Sequence, residues 1–405
     1  MVDALADFTR NLLSYGKNTH AICAAADVAR KDATLNAYAA AAALFGMTPQ
    51  TRAAAEPYLA RAQRFAKTRD ERLLVEAMSA WQGGDETGAI ASHRERLQIR
   101  PDDLAALKIC QLHHINVGDF DGMLATLRAA APYHAENHYF LGQLAFALEE
   151  TGHTAQARDL AIRAVMAAQD TGEDDPWSVH ALMHAHHRAG ELQDSITLAR
   201  RYEALWARSG TFMGIHAWWH AAIAHLDLDQ GGLALALYDQ RLAPIDAHCV
   251  QSLVARVSLL ARLQLRGVAV GDRWPPLVDT LMERVDDGVN GFLDVHYVYG
   301  LALAGEREMA REAAKKLEGL SSTAALALIA DVDGDAEKAA EMLRSLAARL
   351  HCLGGSHEQR ELYELIELKA ALKNGRTGQA KDILYKDLAT RPAWQRRLLL
   401  VVSSP

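Results

Sequence analysis

The chain lacks any run of about 18 uninterrupted apolar residues, so no membrane-spanning helix is expected. Cysteine is scarce and scattered, at Cys23, Cys110, Cys249 and Cys352. That spacing suits neither a disulfide framework nor a zinc motif and fits a reducing compartment. Aromatics make up only 6% of the residues and β-branched runs are few, which argues against a β-rich fold. There is no polybasic block and the net charge is −8, which argues against sequence-independent nucleic-acid binding. The opening segment, MVDALADFTRNLL, carries Asp3 and Asp7 and has no basic n-region, so no signal peptide is expected. A P-loop, a GxSxG elbow, a Rossmann fingerprint and an H-E-x-x-H pair are all missing. A cytoplasmic protein that contacts neither membrane nor nucleic acid is the expectation.

What is present is repetition. Gly84, Gly118 and Gly152 are 34 residues apart, and Gly190 follows 38 later. Further turn glycines are read at Gly231, Gly267, Gly305, Gly334 and Gly375. A period near 34 is that of stacked helical hairpins. Five residues after a turn, a small side chain should let helix B approach helix A. Ala89, Ala157, Ser195, Ala310, Ala339 and Ala380 fit, and Met123 is the exception. Pro101, Pro132, Pro244 and Pro392 are read as punctuation after B helices. The fold expected is all-α, a right-handed α-solenoid of tetratricopeptide-like hairpins able to curl around a central groove. Its parts are an N-terminal helical region over 1–70, His-rich repeats over 71–266, and C-terminal repeats with a capping helix over 267–405. The stretch from Gly267 to Gly291 reads as the weakest repeat, with a helix starting at Trp274-Pro275-Pro276.

Histidine is concentrated before the turns. His180, His184, His186 and His187 precede Gly190, and His216, His220 and His225 precede Gly231. Asp294 and His296 precede Gly305, and His357, Gln359, Arg360 and Glu364 lie on the helix before Gly375. His180/His184 and His216/His220 are i, i+4 pairs, each on one helix face. His184 and His225 each lie six residues before their turn glycine, and His180 and His220 lie ten and eleven before. Matching offsets predict matching faces on neighbouring A helices, turned towards the concave side. Trp177, Trp218, Trp219, Tyr297 and Tyr299 would flank them.

A converging imidazole set with Arg360 and Gln359 suits a small polar or anionic ligand, or a short peptide. The binding residues expected are Trp177, His180, His184, His216, Trp219, His220, His225, His296, Tyr299, Gln359 and Arg360. An enzyme would use His180, His220 and His296 as acid or base, with Asp294 orienting His296. A pure interaction scaffold is the third reading. No cofactor is implied, although an i, i+4 histidine pair has the spacing to give a divalent metal two ligands. Other features have plainer readings. Glu149-Glu150 reads as solvated. His113-His114 and His134 to His138 read as mixed packing and surface. Ser356 with Gln359 reads as a capping box.

Three segments taken in order, DPWSVHALMH, IHAWWHAAIAHLDL with ALALYDQRL, and GGSHEQRELY, resemble the tetratricopeptide repeat protein 38 family. The matching residues are Pro176, Trp177, His180 and Ala181, then His216, Trp219, His220, Leu237, Tyr238 and Asp239, then Gly354, Gly355, Ser356, Gln359 and Arg360. The resemblance spans roughly residues 70–390 and implies the repeat fold and the position of the pocket. The chain departs from the family at His184-Ala185-His186-His187, where a His-Val-x-Glu-Met type run is the pattern.

Overall fold

The computed structural model describes residues 3–244, 249–386, 388–389 and 391–403. They are all-α, a succession of helical hairpins with no strand among the described residues. No described helix is long and apolar enough to cross a membrane. The chain forms two compact units, residues 1–185 with 202–214 and residues 186–201 with 215–405. Residues 267–291 lie inside the second.

The first unit holds α1 (Ala4–Leu13), α2 (Ala21–Val28), α3 (Ala33–Leu44), α4 (Pro49–Phe65), α5 (Arg69–Gln82), α6 (Glu86–Ile99), α7 (Leu104–Val117), α8 (Phe120–His134), α9 (His138–Glu150) and α10 (Thr154–Thr171). Helix α11 (Pro176–Arg188) starts there and ends in the second unit. The second unit also takes α12 (Leu192–Arg201), whereas α13 (Glu203–Arg208) returns to the first. Helix α14 (Thr211–Asp227) again crosses over. Then follow α15 (Gly231–Leu237), α16 (Val250–Leu265), α17 (Pro275–Arg284), α18 (Gly291–Ala304), α19 (Arg307–Lys316), α20 (Gly319–Val332), α21 (Ala336–Leu346), α22 (His357–Lys373), α23 (Thr377–Tyr385) and α24 (Ala393–Ser403).

Three hairpins share one local chemistry, whereas the helices that follow Gly152, Gly305 and Gly375 start without a side-chain cap. A glycine with positive φ ends the first helix, as at Gly118 (φ 70°) and Gly334 (φ 84°). An aspartate then caps the second helix: Asp85, Asp119 and Asp335 each accept a backbone N–H three residues on. The small residues expected five positions after the turn, Ala89, Ala157, Ser195, Ala310, Ala339 and Ala380, are fully buried, and so is Met123. Pro132 departs from the sequence expectation, because it lies in the last turn of α8 rather than after it. A second departure is the turn after α14. Gly231 is the first residue of α15, and Asp229 takes the left-handed conformation (φ 62°). Aspartate tolerates that region better than most residues. Here its carboxylate also pairs with Arg266 and Arg397.

Candidate functional site

Three helices end alike. His114, His186 and His225 place ring Nδ1 on a side chain five residues on: Asp119 at 3.0 Å, Glu191 at 2.6 Å and Gln230 at 2.6 Å. The carbonyl of each histidine accepts the backbone N–H of that same partner. The imidazole therefore locks the helix terminus, where carbonyls run out of intrahelical donors. His225 is thus a helix-end residue in the same role as His186, not a ligand-facing counterpart of His184. The left-handed residue comes four positions later, at Gly118, Gly190 and Asp229. Counting from Asp229 instead of Gly231 shifts the register of α14 by two. Trp177 then corresponds to His216, and His180 to Trp219. The two helices exchange tryptophan and histidine at matched positions, and the expected equivalence of His180 with His220 does not hold.

In the first unit, α11 carries Trp177, His180 and His184, all buried. Nε2 of His180 lies 3.0 Å from Nε2 of His184. Nδ1 of His184 lies 3.4 Å from Glu149 Oε2. Glu149 is only 1% exposed, which corrects its reading as a solvated helix end. Trp177 has an unforeseen neighbour. The Lys108 ammonium sits 3.3 Å from the centre of its indole and donates to Gln111 Oε1 at 3.0 Å. Tyr15 stacks on the same indole at 5.7 Å. Burial pushes the Lys108 pKa well below its ordinary value, against a weaker opposing pull from Asp175. The histidines read as mixed packing and surface are also interior. His113, His114, His134 and His138 are all buried, and His138 bridges Asp175 (2.9 Å) and Glu173 (2.8 Å).

In the second unit, Nε2 of His216 lies 3.2 Å from Nε2 of His220, and His216 stacks on Trp219 at 5.5 Å. Two facing Nε2 atoms can share one proton, one donating and the other accepting. They also stand at the separation of two ligands on one metal ion, roughly 3.0–3.4 Å for bonds of 2.0–2.1 Å. His187, one turn beyond His184, holds Asp227 through Nε2 at 3.0 Å. The other oxygen of Asp227 accepts from Trp394 Nε1 at 3.1 Å. Burial opposes protonation of His187, but Asp227, Glu358 and Glu361 outweigh it and raise its pKa. One ligand atom each from His187, His220 and Glu358 lies within 4.8 Å of the other two. Arg262 runs beside this group, donating to the Glu358 carbonyl and to Glu361 Oε2 and lying 5.8 Å from the Trp219 ring centre.

His187 and Glu358 also wall a cavity of about 500 Å³. Arg360, Glu361, Glu364 and Arg391 share that wall, so it carries both signs of charge. Arg360 is therefore the one predicted ligand residue of α22 that lines it. Gln359 is committed elsewhere: its Oε1 accepts the Ser356 N–H at 2.9 Å in the expected capping box. His296 also departs from expectation. Its Nδ1 bonds the Phe292 carbonyl at 2.8 Å, one helical turn back. Asp294, two residues away on the same helix, projects from a different side and does not orient it. Burial holds the His296 pKa down to about 4, with the Phe292 bond opposing and Arg262 adding to the depression. It is a neutral core imidazole near pH 7. Tyr299 is likewise core, its phenol pKa raised by burial.

No family model matches the chain. A chain of the solved Naa15/Naa10 complex bound to HypK-THB aligns with 94% of this chain and 68% of its own, at 14% identity and a TM-score of 0.24. An overlap that low carries no argument about fold or partners.

Sequence reasoning passed over Lys108, Asp227 and Glu358 and took Glu149 for a solvated residue. Nothing in the residues around Lys108 or Asp227 marks either position as interior. Glu358 had one available signal, its place just inside the capping box that fixes the start of α22.

Proposed function

We propose that the chain is a binding protein for a small polar ligand bearing charges of both signs, held in the cavity of the second unit. The cavity carries this reading. Its volume falls in the range of small-molecule sites, and its wall mixes guanidinium and carboxylate groups. Arg360 would take a carboxylate or phosphate, because Arg391 is already held by Glu364 and the Ile383 and Lys386 carbonyls, and the partly exposed carboxylate of Glu361, beside Arg262, would take an ammonium group. Such pairing suits an amino-acid-like molecule or the end of a short peptide. Helical-hairpin arrays are common scaffolds for holding partners, which fits the same reading. The ordered motifs support membership of the tetratricopeptide repeat protein 38 family as part of this proposal. Acid/base catalysis by His296 is disfavoured by its depressed pKa and its bond to a carbonyl.

Thermal-shift and calorimetric titration with amino acids, dipeptides, dicarboxylates and sugar phosphates tests the proposal. At least one zwitterionic class should bind, and Arg360→Ala should weaken it tenfold or more while helicity is kept. If no class binds, or if Arg360→Ala binds as well as the parent chain, the proposal fails.

A further inference from the structure

We propose that His187, His220 and Glu358 form a divalent transition-metal site in the wall of the second unit's cavity. The three residues come from three helices, α11, α14 and α22, and offer ligand atoms within 4.8 Å of one another. Bound ligands stand roughly 3.0–3.4 Å apart, so side-chain rotations of about an ångström close the set. His220 and Glu358 are almost fully buried, and His187 is 11% exposed.

The arrangement around His187 is that of a metal ligand. Nε2–H donates to Asp227, so in the neutral ring Nδ1 carries the lone pair, and a bound ion would displace any proton held there. That Nδ1 is buried and has no hydrogen-bond partner among the described residues. A ring nitrogen in that state is costly unless something fills the position. Asp227 is itself anchored by Trp394, so the imidazole is held from behind. Three features compete with the ion, the first being His216, whose Nε2 lies 3.2 Å from Nε2 of His220. His357 Nε2 lies 3.3 Å from Glu358 Oε1, and Arg262 adds positive charge nearby. Glu361 offsets Arg262 through its 2.9 Å pair.

Two imidazoles and one carboxylate suit Zn²⁺ or Fe²⁺ and leave coordination positions open. Because His187 and Glu358 also line the cavity, those positions face a space that can admit an exchangeable ligand. The site goes beyond the proposed binding function and does not depend on it.

The test uses the full chain stripped of metal and titrated with Zn²⁺ alone. One equivalent per chain should bind and survive gel filtration. His187→Asn and Glu358→Gln should each weaken binding by a hundredfold or more. Asp227→Asn should weaken it by about ten- to a hundredfold, as loss of an orienting carboxylate does. His225→Gln, at a helix end, should leave affinity unchanged. X-ray absorption on the Zn²⁺-loaded parent chain reads the coordination sphere directly, even if a variant fails to fold. Two imidazoles plus a carboxylate oxygen are expected. No stoichiometric binding, affinity unchanged in both ligand variants, or a sphere of imidazoles alone would overturn the site. Because no organic ligand is added, those results leave the cavity proposal standing.

Discussion

Lys108 shows what one buried residue implies. The residue is 1% exposed, its ammonium bonded to Gln111 and set against the indole face of Trp177. A buried charge without a salt-bridge partner destabilises a fold more than a well-packed apolar chain of similar length. Lys108→Met should therefore raise stability at pH 7 by roughly 1 kcal/mol or more. The pH dependence fixes the sign. The folded pKa lies below the unfolded value of about 10.4, so between the two the unfolded chain holds more protons. Stability of the parent protein then rises with pH through that window, and the advantage of Lys108→Met shrinks. Denaturant melts at several pH values check this. A destabilised Lys108→Met would mean that the contact with Trp177 outweighs the burial penalty. None of this was legible in the sequence, because ALKICQL gives no sign that position 108 faces inward rather than towards water.

At the scale of elements, much was legible wherever a local rule applied. The turn glycines announce themselves because only glycine enters the left-handed region without penalty. Ser356 and Gln359 announce a capping box by their spacing. The reading slipped where aspartate did a glycine's work. With Asp229 in that role, the frame on α14 moved by two residues, and the histidines that seemed equivalent were not. The pairing of His187 and His220 with Glu358 was beyond reach, because it joins residues about 140–170 apart in the chain. Just before α22, local geometry is strict again. Gly355 has φ 79°, and an added Cβ would meet Phe292 Cε2 at 2.8 Å. Gly355→Ala should cost more than the ~1 kcal/mol typical of a lost cap such as Ser356→Ala, because it adds strain to a clash. Parallel chemical denaturation of the two variants would show it. A milder Gly355→Ala would mean that Phe292 yields freely.

At the scale of the whole molecule, the chain passes between the two units three times: inside α11, inside α14, and at the short joint between α12 and α13. Helix α12 belongs to the second unit, where Leu192 and Ile196 pack with Ala224. A fragment of residues 215–405 lacks that cover, and a fragment of residues 1–214 carries it with nothing to bury it against. Expressed separately, neither fragment should melt cooperatively by circular dichroism. A monomeric 215–405 fragment with a sharp transition would contradict this. The stretch from Pro176 to Asp227 is therefore inherited as a block. Gene fusions, shuffled chimeras and circular permutants of this protein belong at outlying turns such as the one around Asp102. A join placed among the clustered histidines would sever two folding units at a stroke.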